Sequence, residues 1–82
     1  MPKKVLRTTE HTYTIIYEPV RGGGYQVTAP LLPGLVTYGR SFEEAREMAR
    51  DAIRCYIEAL HKDREKIPSE RSLVQEKISV TA

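Results

Sequence analysis

Apolar and polar side chains alternate along residues 11–18 and again along residues 25–29, and a period of two predicts half-buried β-strands. The positions expected to face a core are Tyr13, Ile15, Tyr17, Tyr25, Val27 and Ala29. Between these stretches, residues 22–24 are all glycine and can adopt the positive φ angles that a tight turn needs. The two strands are therefore predicted to pair antiparallel, and a third short strand is predicted over residues 35–38.

A helical period replaces the alternation after Ser41 and predicts one long amphipathic helix. Ser41, followed three residues later by Glu44, has the spacing of a capping box at a helix start. Apolar side chains then recur at helical spacing: Phe42, Ala45, Ala49, Ala52, Ile53, Tyr56 and Leu60. The small alanines on this face predict a close approach of the helix to the sheet. The opposite face is charged, as is typical of a solvated surface.

Alternation returns over Val74–Val80, after Pro68 marks a helix stop, and predicts a fourth strand. The element order β-β-β-α-β predicts a two-layer α+β fold. It has a three-stranded antiparallel meander, one helix on one face, and the fourth strand parallel to the first through a right-handed connection. Residues 1–10 lack periodicity and are predicted to be a flexible basic arm before a single domain over residues 11–82.

Length and composition suggest that the protein self-associates. Of its 82 residues, 40% are hydrophobic and 29% charged, which is typical of an ordinary folded protein. A chain this short buries only about 60% of its unfolded surface, so a homodimer or tetramer is expected to add stability. No apolar run approaches the roughly 18 residues of a spanning helix, and no apolar signal core follows the basic start. These features predict a cytoplasmic location without a membrane anchor.

The residue types needed for catalysis do not converge in the predicted fold. Two-metal chemistry needs several carboxylates around one site, but the first strand offers only Glu18. The aspartates Asp51 and Asp63 fall on the outer helix face and in a charged loop. Cys55, the single cysteine, is interpreted as a bystander thiol because no catalytic partner stands at a motif spacing. The sequence therefore predicts no enzyme, no metal and no cofactor.

The sheet face turned away from the helix is predicted to carry Ile16, Val36 and Tyr38. Such a surface is more apolar than a small monomer normally exposes, which makes it a candidate protein interface. Scattered apolar residues on a sheet surface can also be without function, and that alternative stays open.

The segment from Gly24 to Ala45 resembles the signature of the HicB-like family of small bacterial and archaeal antitoxins. That signature runs Gly-Tyr, a short strand, Pro-x-Leu-Pro-Gly, Thr-x-Gly, then Ser or Thr with Glu-Glu-Ala. The matching residues are Gly24, Tyr25, Pro30, Leu32, Pro33, Gly34, Thr37, Gly39, Ser41, Glu44 and Ala45. The resemblance implies a truncated ribonuclease H-like fold. In that fold these residues have structural roles: they form the turns, the loop, the helix cap and the contact of the helix with the sheet.

The resemblance also implies a function. HicB-like proteins bind a small HicA-type toxin, which has a double-stranded-RNA-binding-like fold and cleaves mRNA with a catalytic histidine. Binding covers the active surface of the toxin and uses no cofactor. Many family members add a C-terminal domain that binds the promoter; because this sequence ends at Ala82, DNA binding is not expected of it.

Three features differ from the family pattern. Leu31 stands where an acidic residue is frequent, and Leu35 stands where a cysteine is frequent. The net charge is +2, whereas an antitoxin facing a basic toxin would usually be acidic. Two alternatives therefore stay open: a stand-alone homo-oligomeric scaffold of the same fold, and a weak nucleic-acid binder that uses Lys3, Lys4 and Arg7.

Overall fold

The computed structural model describes residues 10–69 and 74–82. Three strands and one helix follow one another in this part of the chain: β1 (Ile16–Pro19), β2 (Tyr25–Thr28), β3 (Val36–Gly39) and α1 (Phe42–Lys62). The strands form an antiparallel sheet in the order β1-β2-β3, and α1 packs on one face, mainly against β3 and β2. The predicted two-layer α+β fold, with a meander and one helix, is confirmed.

The chain turns between β1 and β2 at the three glycines. Gly22, Gly23 and Gly24 have φ angles of 97°, 108° and 85°, as the sequence predicts. The N–H of Val20 donates to the carbonyl oxygen of Gly24, and the N–H of Gly23 donates to that of Val20, both at 3.1 Å. Residues with a Cβ rarely adopt such angles, so this tight connection depends on glycine.

β1 begins later than the alternation predicts. Ile16 pairs with Thr28, the last residue of β2. The next residue, Ala29, already begins a turn, in which its carbonyl oxygen accepts the N–H of Leu32 at 3.1 Å. β2 therefore ends before it could pair with the residues that precede β1. Ile15 nevertheless packs against the core, so the alternation correctly identified its buried side.

Two consecutive turns form the loop between β2 and β3. In the second turn the N–H of Leu35 donates to the carbonyl oxygen of Leu32 at 3.1 Å. Pro30 and Pro33 occupy the second position of each turn, where the fixed φ of proline fits. As a result every third residue points inward: Ala29, Leu32 and Leu35 are only 5%, 0% and 6% exposed.

The helix holds this loop in place. The hydroxyl of Tyr56 donates to the carbonyl oxygen of Pro33 at 2.8 Å. Gly34 follows with a φ of 86°, and Ile53 and Ile57 pack on the buried residues of the loop. The loop residues between β2 and β3 thus form one half of the hydrophobic core rather than a loose connection.

α1 lies against the sheet with backbone touching backbone. A Cβ atom added to Gly39 would lie 2.2 Å from the amide nitrogen of Ala45 and 2.4 Å from its Cα. Beneath this contact Val27, Ala45 and Ala49 form the other half of the core, with exposures of 0%, 0% and 2%. The close approach predicted from the alanines is therefore present, and Gly39 is what permits it.

Phe42 belongs to the predicted apolar face of the helix, but it is not buried, since 47% of its surface is exposed. Its ring still packs at the margin of the core, with centroids 4.8 Å from that of Tyr17 and 5.7 Å from that of Tyr25. The Arg46 guanidinium lies over the ring, 6.0 Å from its centroid, and the rest of the ring is open to solvent at the first residue of α1.

The helix ends at Lys62, and Pro68 lies beyond it. Asp63 follows α1 as its C-cap, and the chain turns at Arg64 with a φ of 57°. Beyond this turn, the carbonyl oxygen of Pro68 accepts a hydrogen bond from the hydroxyl of Tyr13. Within residues 10–69 and 74–82 no helix combines the length and apolarity needed to cross a membrane.

Residues 74–82 correct the prediction of a fourth strand. They belong to no strand, and Val74, Ile78 and Val80 are 86%, 75% and 82% exposed. Alternation gives this segment strand propensity, but a strand also needs a neighbour with which to exchange hydrogen bonds, and within the described residues this segment pairs with no strand. The basic arm predicted over residues 1–10 lies outside the described residues except for Glu10.

Gly39→Ala is expected to lower the free energy of unfolding by about 3 kcal/mol, the upper end of the range for overpacking, because the new methyl group meets backbone that cannot move aside. Gly34→Ala is the matched control. Its Cβ would meet no atom within 4 Å, so only the positive φ costs energy, about 1 kcal/mol. Urea unfolding of both variants measures this difference, and equal losses would contradict the proposed backbone contact.

Candidate interaction surface

The sheet face turned away from α1 is the largest uncovered part of the sheet. The strand register assembles it from six residues in two rows, here called the open face: Ile16, Thr28 and Val36 in one row, and Glu18, Gln26 and Tyr38 in the next. None of the described elements packs on it. The three residues predicted as a candidate interface therefore share one face.

The apolar members of the open face lie close together. Ile16 and Val36 flank Thr28 on neighbouring strands, so they are about 10 Å apart, given a strand spacing of about 4.8 Å. Val36 is 60% exposed and Tyr38 is 44% exposed, whereas Ile16 is half-buried. A partner with an apolar patch would find all three side chains in one contact area.

Tyr38 is held in place by the glycine turn. Its hydroxyl donates to the carbonyl oxygen of Gly23 at 2.9 Å. A Cβ atom added to Gly24 would lie 2.4 Å from that hydroxyl oxygen, so a side chain at position 24 would displace the tyrosine. The sequence predicted Gly24 only as a turn residue. Its second role, leaving room for the Tyr38 hydroxyl, depends on a contact between residues that are distant in sequence. The ring thus presents a preorganised surface, which reduces the entropy cost of binding.

The helix start contains the predicted cap in an altered form. The Oγ of Ser41 accepts the N–H of Glu44 at 3.1 Å, as predicted. The Oε1 of Glu44, however, accepts the N–H of Arg40 at 3.0 Å rather than that of Ser41. The Arg40 guanidinium lies 3.5 Å from the other carboxylate oxygen. The hydrogen bond from the Arg40 backbone, and then the guanidinium, lower the pKa of Glu44 below its ordinary value of 4.5.

The remaining motif residues support the fold around this surface. Tyr25 packs its ring on Phe42, and Thr37 pairs with Val27 in the row that faces α1. Pro30 is exposed in the loop between β2 and β3. Every residue of the motif thus lies in the glycine turn, the proline loop, the sheet, or the start and seat of α1.

A second feature is a groove between β1 and α1, which the sequence analysis missed because a fourth strand was expected there. Two adjoining cavities of about 220 and 240 Å³ form it. The residues that define this β1–α1 groove are Ile15 and Tyr17 on one wall and Ala49, Arg50, Ile53 and Ile57 on the other. The groove is therefore mainly apolar, and the charged side chains of Arg46, Arg54 and Glu58 also line it.

The three carboxylates considered for catalysis in the sequence lie apart from one another. Glu18 is exposed on the open face, Asp51 accepts a hydrogen bond from Arg54 at 3.0 Å, and Asp63 caps the helix. In the described part of the chain no cluster of three or more His, Cys, Asp or Glu side chains could hold a metal ion. Cys55 is an exposed free thiol on α1.

The sequence-family model for HicB-like antitoxins of bacterial toxin–antitoxin systems matches residues 13–80 of this chain. This chain belongs to the HicB-like antitoxin family. The resemblance read from the motif is thereby confirmed, and membership of an antitoxin family agrees with the prediction that the chain is not an enzyme.

Individual relatives show how much of the chain is shared. A UPF0150 protein of Thermoplasma acidophilum is 43% identical over 70 residues, which cover 85% of this chain and 97% of that protein. Antitoxin HicB 1 of Photorhabdus laumondii is 41% identical over 83% of this chain but only 44% of its own length. A UPF0150 protein of Synechocystis is 35% identical, covering 79% of this chain and 82% of that protein.

The altered cap predicts a pH dependence. Because the pKa of Glu44 is lower in the folded chain than its ordinary value, the stabilisation is complete above about pH 4.5 and is lost as the pH falls through the folded-state pKa. Glu44→Gln should therefore be less stable than the wild type near pH 7, and the gap should close in acid. Glu47→Gln, on the exposed side of α1, is the control. Urea midpoints across this pH range check it, and a gap that persists in acid would contradict the capping role.

Proposed function

We propose that this chain neutralises a HicA-type toxin by binding it and covering the surface with which it cleaves mRNA. Three observations support this: membership of the antitoxin family, the match to Antitoxin HicB 1 over most of this chain, and an exposed apolar sheet face. The proposal places the chain in the cytoplasm, where such a toxin meets mRNA.

The open face is the observation on which the proposed contact rests. Val36 and Tyr38 are exposed apolar side chains on hydrogen-bonded strands, and the hydroxyl of Tyr38 is already bonded within the chain. Binding there would bury apolar area without first ordering a loop. The loss of conformational entropy would therefore offset little of the favourable free energy of burial.

Charge supports the same surface. Although the chain carries a net charge of +2, the six residues of the open face include one carboxylate, Glu18, and neither lysine nor arginine. An RNA-cleaving toxin needs basic residues to hold phosphates. The open face is therefore compatible with a basic partner even though the whole chain is not acidic.

Inhibition in this proposal is steric. A toxin covered by the sheet cannot admit RNA, so neither a metal nor a cofactor takes part, and a chelator should not release the toxin. A homodimer or tetramer remains part of the proposal because the core of so short a chain is thin. Promoter binding is not part of it.

The test is co-purification with the product of a neighbouring gene that encodes a short basic protein. The wild-type chain should bind it stoichiometrically and suppress its cleavage of RNA. Val36→Lys should weaken binding at least about tenfold, because it places a charge in the apolar contact and adds repulsion toward a basic surface. Glu47→Lys places a lysine at another exposed position, on α1, and should bind like the wild type.

Three results would count against this proposal. Equal binding by both variants would show that the open face is not the contact. The absence of any toxin partner would favour the stand-alone scaffold. RNA binding with a steep salt dependence would favour the nucleic-acid alternative, whose residues Lys3, Lys4 and Arg7 lie outside the described part of the chain.

A further inference from the structure

The segment of residues 74–82 carries apolar side chains that nothing in the single chain covers. Val74, Ile78 and Val80 alternate with polar residues and are each at least 75% exposed. The polar side of the alternation consists of Gln75, Lys77, Ser79 and Thr81. An alternating pattern of this length is typical of a strand with one buried face, yet here that face is in solvent.

The β1–α1 groove, in turn, lacks a strand that would cover it. β1 is an outer strand of the sheet, and within the described residues no strand pairs with its far side. Beside that free edge, Ile15, Ile53 and Ile57 are only half-buried, so the groove leaves apolar surface in water. A strand added along β1 would complete the hydrogen bonds of the edge and cover these side chains.

The segment and the groove also match in charge. On the apolar side of the segment, the position between Val74 and Ile78 is Glu76. Arg50 lines both cavities of the groove and Arg46 lines one, while Arg54, which is paired with Asp51, lines the other together with Glu58. A strand with its apolar side turned to α1 would therefore present one carboxylate to the part of the groove lined by Arg46 and Arg50.

We propose that residues 74–82 of one chain bind in the β1–α1 groove of a second copy as an added strand, and that the second copy reciprocates. Residues 74–82 begin close to the groove of their own chain, because Pro68 lies beside Tyr13 and only residues 70–73 separate the two described parts. The single chain nevertheless keeps its segment out of that groove. Reciprocal exchange would cover the β1 edge of each copy in a symmetric dimer.

The exchange leaves the open face available. The groove lies beside α1, whereas the open face is on the other side of the sheet, so the dimer and the toxin would occupy different surfaces. The inference does not rest on the proposed function, and its test needs no toxin.

Sedimentation of the full chain tests the assembly. The wild type should sediment as a dimer of the 9.4 kDa chain at micromolar concentration. Ile78→Lys should raise the dimer dissociation constant at least about tenfold, because it places a charge in the groove. Ser79→Lys, which makes the same change on the polar side, should leave it unchanged. A wild-type monomer at all concentrations, or equal association by both variants, would overturn the proposal.

Disulfide trapping then identifies whose segment fills the groove. In a Cys55→Ser background, a chain with both Arg50→Cys and Glu76→Cys should form a covalent dimer on oxidation. Replacing Glu76→Cys by Ser79→Cys moves the thiol to the polar side and should abolish the link. An internal disulfide in a monomer would show that each chain fills its own groove, and no linkage in either variant would place the segment elsewhere; both results overturn the exchange.

Discussion

The backbone contact between Gly39 and Ala45 sets the distance between the two layers, and the rest of the packing depends on that distance. With no side chain at position 39, a single helix can bury Val27 and Ala49 completely or nearly so. The helix starts directly after β3, and the cap at Ser41 fixes this start. The same placement brings Tyr56 to the proline loop and closes the second half of the core.

Local patterns predicted most of the fold because local residues determine it. Glycine angles, the helix cap and the side of each strand follow from neighbouring residues, and the structure agrees with those predictions. The fate of residues 74–82 did not follow, because a strand requires an edge that sequence alone does not locate. The face shared by Ile16, Val36 and Tyr38 followed from alternation, whereas the contact of Gly24 with Tyr38 and the β1–α1 groove arise only in three dimensions.

The protein therefore presents two unlike surfaces from a small core. The open face is a preorganised apolar patch with one carboxylate, suited to a basic protein partner. The groove is an incomplete packing site beside a free strand edge, suited to a strand. Family membership assigns the chain to the antitoxins, and the separation of these surfaces would let one chain assemble with its own kind and bind a toxin simultaneously.

The most direct test of binding through the open face is an NMR titration of the isotopically labelled chain with a purified candidate toxin, the short basic product of a neighbouring gene. Amide signals of Ile16, Thr28, Val36 and Tyr38 are expected to shift or broaden together as the complex forms. Signals from the outer face of α1, such as those of Glu47 and Asp51, should stay in place. Shifts confined to α1, with the sheet signals unchanged, would contradict binding through the open face.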